Sequence, residues 1–109
     1  MRITVEVLVS GQARPPVGAP VLVQVRDTAL QDAPARILAA ARGVVEGPSS
    51  AALAIVRFDL YETGAELTVW AHVDVDGDGR VSSGDYITTQ SYPLPAGPEP
   101  RLRVAVVRV

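Results

Sequence analysis

Apolar residues alternate with polar or smaller ones along most of this chain, and this period-two pattern constrains the fold more than any other feature. Successive side chains of a β-strand point to opposite faces, so each alternating segment has one apolar face to bury. In residues 2–9 that face carries Ile3, Val5, Val7 and Val9. The same alternation predicts further strands at residues 21–26, 52–60, 66–74, 86–91 and 102–109.

Turns that contain glycine or proline separate these segments at fairly regular intervals. About seven short strands with such spacing are typical of two packed antiparallel sheets. With 109 residues, the chain has the usual size of one domain and little room for two separate cores. We therefore predict a single all-β domain over residues 1–109, an antiparallel immunoglobulin- or transthyretin-like β-sandwich of about seven strands.

The segment from Asp27 to Gly43 fits two kinds of secondary structure. Residues 35–42 are rich in alanine, which favours a helix, and Gly43 is a suitable residue to end one. Apolar residues nevertheless alternate here as well, and both neighbouring segments are predicted strands. We predict a strand over residues 36–46, preceded by an irregular or single-turn segment around residues 30–34.

Composition limits the functions open to such a domain. Hydrophobic residues make up 48% of the chain and charged residues 20%, which indicates a folded globular protein rather than a disordered one. The formal charge of −2 argues against nucleic-acid binding, because a protein that binds phosphate backbones needs a basic face. The chain has no cysteine, and so it offers no disulfide, no thiolate metal site and no point of lipid attachment.

The first residues of the chain lack the apolar core and the small-residue cleavage site of an export signal. Apolar runs fall far short of the ~20 residues that a membrane-spanning helix requires. We expect a soluble chain without a membrane span, which would belong to the envelope or periplasm if an export signal had been removed from it.

The chemically most specific feature is the acidic segment from Asp74 to Asp85. It fits a twelve-residue calcium-binding loop, which places oxygen ligands at positions 1, 3, 5, 7, 9 and 12 and a glycine, here Gly79, at position 6. Val81 at position 8 is predicted to anchor the loop on a neighbouring segment. The predicted Ca²⁺ ligands are five side chains and, at position 7, a backbone carbonyl: Asp74, Asp76, Asp78, Arg80 (carbonyl), Ser82 and Asp85.

Calcium is a hard cation that takes about six to eight oxygen ligands, and alternating aspartates around a tight turn aim several carboxylates at one point. The last ligand is the shorter Asp85 instead of the usual glutamate, which makes bidentate ligation less secure. The alternative interpretation is a solvated hairpin turn, because Asp-Gly is also a strong hairpin signal. Magnesium fits less well, since it seldom uses a cage made only of protein oxygens.

Trp70 and His72 share the face of the predicted strand 66–74 that lies opposite its apolar side. A catalytic histidine needs a nucleophile and an orienting carboxylate, and no nucleophile motif accompanies His72. We therefore interpret His72 as a half-exposed strand residue and predict that the protein is not an enzyme. An alternative is that Trp70 and His72, with Tyr86 or Tyr92, form a binding patch, which would make the domain a calcium-dependent module for a small ligand or carbohydrate.

Three segments of the sequence resemble a known family. The longest, residues 18–35, is an apolar strand that ends in Asp27, followed by a hydroxyl residue and an Asp-Ala pair. Residues 57–61 and 67–74 follow in the same order. Together these segments resemble the YbaY/YscW family of bacterial envelope lipoprotein domains. The resemblance implies a transthyretin- or immunoglobulin-like β-sandwich without enzymatic activity and, for some members, a chaperone role toward an outer-membrane component of a secretion system.

Two features depart from the pattern of that family: the chain has neither an export signal nor a lipid-bearing cysteine, and it carries the acidic loop. The calcium prediction therefore depends on residues 74–85 alone. From the residues and the resemblance together, we predict a non-enzymatic β-sandwich module with a structural calcium loop. Its role would be that of an interaction domain, or of an envelope-associated, chaperone-like domain with a protein partner.

Overall fold

The computed structural model describes residues 1–11, 14–29, 35–47, 51–61, 64 and 66–109. Those residues form seven β-strands and no helix. The strands are β1 (Arg2–Val9), β2 (Pro20–Asp27), β3 (Arg36–Val44), β4 (Ala54–Asp59), β5 (Leu67–Val73), β6 (Tyr86–Ile87) and β7 (Arg101–Arg108). Each strand overlaps a segment whose alternation predicted it, so the all-β prediction is confirmed. Over the same ranges, no helix has the length and apolar character needed to cross a membrane.

The strands form one seven-stranded sheet in the order β3-β2-β5-β6-β7-β1-β4. Neighbouring strands are antiparallel with one exception, the parallel pair of β1 and β7. The first part of β7 pairs with β1, whereas its last residues, Val107 and Arg108, pair with β6. The prediction of a purely antiparallel sandwich is therefore wrong. Alternation reports which face a side chain occupies, but it carries no information on the direction of the neighbouring strand.

The two outermost strands of this sheet, β3 and β4, lie against each other. A Cβ atom placed on Gly43 of β3 would sit 3.3 Å from Cγ2 of Val56 in β4. Just beyond the strands, the N–H of Glu46 donates a hydrogen bond of 2.7 Å to the carbonyl of Leu53. The sheet therefore curves until its ends meet around one apolar core, instead of forming two separate layers.

That core consists of the inward faces that the alternation predicted. It is built mainly of valine and alanine, and valine suits strands because its branched side chain packs well on a pleated surface. Full burial of one such valine contributes about 1.5–3 kcal/mol. The buried side chains from the strands are Ile3, Val5, Val7, Val21, Val23, Val25, Ala54, Val56, Val69, Ala71, Val73, Tyr86, Val104 and Val106.

The segment that fitted either a helix or a strand is a strand, β3. Its nine residues run antiparallel to β2 from Arg36 to Val44. Pairing with a buried neighbouring strand therefore outweighs the helix propensity of the alanines, which differs from that of other ordinary residues by less than about 1 kcal/mol each. The irregular segment predicted at residues 30–34 lies outside the described residues.

A β-bulge interrupts the pairing of β2 with β3. Val25 pairs with Ala39, whereas the next residue, Arg26, pairs with Ile37. Leu38 is thus an extra residue in β3, and it reverses the alternation on that side of the bulge. As a result, Ile37 points outward with 52% of its surface exposed, although its place in the alternation had predicted the same face as Ala39.

Gly64, between β4 and β5, has no room for a side chain. A Cβ atom placed there would lie 2.5 Å from Oδ2 of Asp27 and 2.9 Å from Cδ2 of Leu67. Asp27 has little freedom to move, because its Oδ1 accepts hydrogen bonds from the N–H groups of Ala29 (3.0 Å) and Glu66 (3.4 Å). We expect Gly64→Ala to lower the free energy of unfolding by about 1–3 kcal/mol.

Urea unfolding of the variant measures this loss. Gly47→Ala is the matched control, because a Cβ atom on Gly47 would have no atom within 4 Å. The control should unfold at the same urea concentration as the wild type. Equal midpoints for the two variants would contradict the close packing at Gly64.

Candidate metal centre

The acidic loop joins β5 to β6 and is fastened to neighbouring segments at both ends. At its start, the N–H of Asp74 donates to the carbonyl of Pro20, the first residue of β2, at 2.9 Å. At its end, the N–H of Gly84 donates to the carbonyl of Val109 at 2.8 Å. The N–H of Val109 in turn donates to the carbonyl of Asp85 at 2.9 Å. These bonds fix the positions at which the loop leaves and re-enters the sheet.

The four aspartates of the loop converge on one point. One carboxylate oxygen from each of Asp74, Asp76, Asp78 and Asp85 lies within 4.8 Å of the corresponding oxygens of the other three. Asp74 and Asp85 are buried, with 8% and 1% of their surface exposed, whereas Asp76 and Asp78 are exposed. The loop thus gathers four oxygen donors, two from the protein interior and two from its surface.

Backbone donors hold Asp74 in place. Its Oδ1 accepts a hydrogen bond of 3.1 Å from the N–H of Gly77, and its Oδ2 accepts one of 2.8 Å from the N–H of Gly79. Both glycines have positive φ, +72° and +77°, a conformation that residues with a side chain rarely adopt. The resulting tight turn brings Asp76 and Asp78 round toward Asp74.

Asp85 is the most enclosed acid of the loop. Its Oδ1 accepts a hydrogen bond of 2.9 Å from the N–H of Val75, and its Oδ2 accepts one of 3.1 Å from the N–H of Ser82. Nε2 of His72 lies 2.9 Å from the same Oδ2. Because an ionised carboxylate only accepts hydrogen bonds, the imidazole donates through Nε2. Oδ2 therefore has both lone pairs engaged, while Oδ1 keeps one for a further partner.

These contacts set the charge of Asp85. Burial raises the pKa of its carboxyl group, whereas the hydrogen bonds from His72, Val75 and Ser82 lower it. The hydrogen bonds outweigh the burial, and the pKa of Asp85 lies below its ordinary value. Asp85 is therefore an anion at neutral pH, as a carboxylate that binds a metal must be.

The two exposed aspartates differ in their electrostatic environment. The hydrogen bond from the Ser82 hydroxyl is the largest cause that lowers the pKa of Asp76, and the N–H of Asp78 adds to it. The N–H of Arg80 lowers the pKa of Asp78, but partial desolvation and the charges of Asp76 and Asp74 raise it by more, so the net shift is upward. Asp78 is thus held close to other anions that disfavour its charge, and a bound cation would relieve that repulsion.

His72 is buried, with 3% of its surface exposed, so its interpretation as a half-exposed strand residue is wrong. It lies on β5, two residues before the loop, and it faces Asp85 instead of solvent. Sequence reasoning missed this pair because the alternation assigns His72 to the outer face of β5. Nothing in the sequence indicates that the loop folds back over that face and buries it.

The two other residues predicted to supply ligands, Ser82 and Arg80, contact the exposed aspartates, and Arg80 does so through its N–H rather than its carbonyl. The hydroxyl of Ser82 donates to Oδ2 of Asp76 at 2.9 Å, and the N–H of Arg80 donates to Oδ1 of Asp78 at 2.9 Å. Val81, which was predicted to anchor the loop on a neighbouring segment, has 48% of its surface exposed, so that prediction is wrong. Backbone hydrogen bonds at the two ends of the loop anchor it instead.

The donor set of the loop fits a hard divalent cation. Its available groups are carboxylate and hydroxyl oxygens, which suit calcium better than softer metals. His72, Asp74 and Asp85 also lie within 4.8 Å of one another, but the imidazole already donates to Asp85. His72 is placed to orient Asp85, as outer partners commonly orient metal ligands. Binding of Ca²⁺ by these residues stays a prediction.

Trp70 does not join His72 in an open aromatic patch. The two ring centroids are 5.7 Å apart, and His72 is buried beneath the loop. Arg26 of β2 covers the indole, with its Cζ 4.1 Å from the ring centroid. Tyr86 is buried and Tyr92 packs against the core. These residues therefore do not form the predicted patch, and the carbohydrate-binding alternative stays a prediction without that support.

Nearly the whole chain matches a family of known proteins. The sequence model of the protein family described as type III secretion system lipoprotein chaperone (YscW) matches residues 1–105. This chain therefore belongs to the YscW family. The resemblance seen in the sequence segments is thereby confirmed. Among solved structures, the chain is similar to an alternative pilotin from the type II secretion system of Vibrio cholerae.

That similarity covers 100% of this chain and 96% of the pilotin chain, with a TM-score of 0.73 and 24% sequence identity. At this identity the likeness concerns the fold. A comparison with curated proteins gives no match. The family match shows that the chain belongs to the YscW family, and the structural comparison shows that the pilotin shares its fold.

Proposed function

We propose that this protein is a non-enzymatic chaperone that binds a protein component of a bacterial secretion system at the cell envelope. The observation that carries the proposal is the match of residues 1–105 to a family described as a lipoprotein chaperone of type III secretion. The fold supports it, because small β-domains commonly bind extended segments through their edges and faces. A pilotin of a type II secretion system shares this fold.

Deletion of the gene in its native host tests this function. An outer-membrane channel subunit that travels without its chaperone exposes interaction surfaces and is prone to aggregate. We expect the amount of that subunit in the outer-membrane fraction to fall several-fold, and a plasmid copy of the gene to restore it. Immunoblots of fractionated membranes measure this, with an inner-membrane subunit of the same system as the unchanged control. An unaltered channel level would contradict the proposed function.

We also propose that the acidic loop binds one calcium ion in a structural role. The convergence of four carboxylate oxygens within 4.8 Å supports this role. Asp85 would contribute Oδ1 alone, because its Oδ2 already accepts hydrogen bonds from His72 and Ser82. Monodentate ligation agrees with the short side chain at this position of the loop. The ion would link the end of β5 to the start of β6 and offset the repulsion at Asp78.

A further inference from the structure

A groove on the outer face of the sheet lies apart from the acidic loop, between β2, β5 and the segment that follows β6. It has a volume of about 410 Å³ and is open to solvent. Trp70 and Arg26 form part of its wall. The rest of the lining consists of Ala35 and Val69 and of residues with hydroxyl or amide groups, namely Thr28, Thr68, Thr88, Thr89, Gln90 and Ser91. The groove thus combines an aromatic ring, a cation and several neutral hydrogen-bonding groups.

Arg26 is held in one orientation at this groove. Its Nε and Nη2 atoms donate to Oε1 of Gln24, at 2.9 and 2.7 Å. Its Cζ lies 4.1 Å from the centroid of the Trp70 ring, so the guanidinium rests on the indole. Hydrogen bonds to Gln24 engage two of the guanidinium N–H groups. The remaining ones include an adjacent pair on Nη1 and Nη2, which form an edge that can bind both oxygens of a carboxylate.

Among the described residues, no carboxylate lies within salt-bridge distance of Arg26. Some other arginines of the sheet are paired: Arg2 lies 3.0 Å from Asp59, and Arg103 lies 3.1 Å from Glu6. Burial lowers the pKa of the Arg26 guanidinium, because the groove partly removes it from water. A partly desolvated cation interacts more strongly with an anion than an exposed one does. Arg26 is therefore preorganised for an anionic partner from outside the described chain.

We propose that this groove binds an acidic side chain of an extended segment from a partner protein, with Arg26 as the point of carboxylate recognition. The planar edge of the guanidinium matches the two oxygens of an Asp or Glu side chain. The hydroxyl and amide groups along the groove can pair with peptide groups on either side of that residue. An open groove suits a chain that passes through it, whereas protein pockets enclose most of a small molecule's surface.

This inference rests on the proposed chaperone function and adds the chemistry of one contact with the partner. Trp70 is the only tryptophan of the chain, so its fluorescence reports on the groove directly. The first experiment is an array of capped pentapeptides that have a central Glu and varied neighbours. Each peptide stands beside a twin with Gln in place of Glu. We expect some Glu peptides to bind the labelled protein and their Gln twins not to bind.

The strongest Glu peptide should then change the emission of Trp70 in a saturable way in solution. Arg26→Gln should weaken this binding by at least about tenfold, because a charge-assisted bidentate pair is lost. Arg26→Lys keeps the charge without the planar edge, and it should bind more weakly than the wild type. Arg57→Gln is the matched control, since it removes the same charge from the exposed side of β4. Circular dichroism and melting temperatures check that each variant is folded.

Three results of the binding experiments would overturn the proposal. One is an array in which no Glu peptide binds better than its Gln twin, and another is equal peptide binding by Arg26→Gln and the wild type. The third is acetate ion binding as tightly as the best peptide, which would define a pocket for small carboxylates. The chaperone function is tested separately by channel assembly in cells. If Arg26→Gln supported assembly as well as the wild type, the groove proposal would fail and the chaperone function would stand.

Discussion

Asp85→Ala is expected to lower the free energy of unfolding by about 1–3 kcal/mol for each buried donor that it leaves without an acceptor, even when a chelator removes all metal. The variant takes away the acceptor that His72 shares with the N–H groups of Val75 and Ser82. Buried donors that lose their acceptor destabilise the folded state, because they have given up their hydrogen bonds to water on folding and make none in the protein. The free energy of unfolding of a small domain is about 5–15 kcal/mol, so the loss would be a large fraction of it. Urea unfolding in the presence of chelator measures it.

Asp78→Ala is the matched control for this experiment. Asp78 belongs to the same loop but is exposed, and its charge is repelled by Asp76 and Asp74. Its removal relieves that repulsion, so stability in chelator should stay the same or rise slightly. If both variants unfolded at the same urea concentration, the pair of His72 and Asp85 would not be the structural centre of the loop.

The parts of this fold that the sequence made predictable are those governed by local geometry. A strand has only two faces, so the alternation of Ile3, Val5 and Val7 was enough to assign the inward face of β1. The convergence of the loop aspartates has a similar origin. Alternate residues around a turn with a glycine at its sixth position, here Gly79, point toward one centre.

The parts that were missed depend on contacts between distant residues. The parallel pairing of β1 with β7 joins Thr4 to Arg101, and no local pattern specifies the direction of such a pair. The bulge at Leu38 depends on how β3 pairs with β2, so the sequence of β3 alone does not predict it. The burial of His72 results from the way the loop closes over β5, which positions a carboxylate thirteen residues further along the chain against it.

Calcium is expected to raise the melting temperature of the wild-type protein by about 10 °C when free calcium is a hundredfold above its dissociation constant. An ion that binds only the native state adds about 2.7 kcal/mol at that ratio. The unfolded chain offers no comparable site, because it does not hold Asp74, Asp76, Asp78 and Asp85 together. Differential scanning calorimetry in chelator and in calcium measures the shift. Magnesium at the same concentration should give a smaller one, since it rarely accepts an all-protein cage.

Asp78→Asn decides between a calcium site and a hydrogen-bonded turn. The substitution keeps the size of an exposed side chain and removes the negative charge of one oxygen ligand. It should therefore abolish most of the rise in melting temperature that calcium causes. The melting temperature in chelator should stay unchanged. If the wild-type protein had the same melting temperature in chelator and in about 5 mM calcium, the proposed calcium site would be contradicted. Even weak extracellular calcium modules have dissociation constants of about 10⁻³ M or below. Asp85→Ala cannot make this distinction, since the loss of its hydrogen bonds would destabilise the loop in either case. Asp78 can, because its side chain is exposed and Asn keeps an oxygen that can accept the hydrogen bond from the N–H of Arg80.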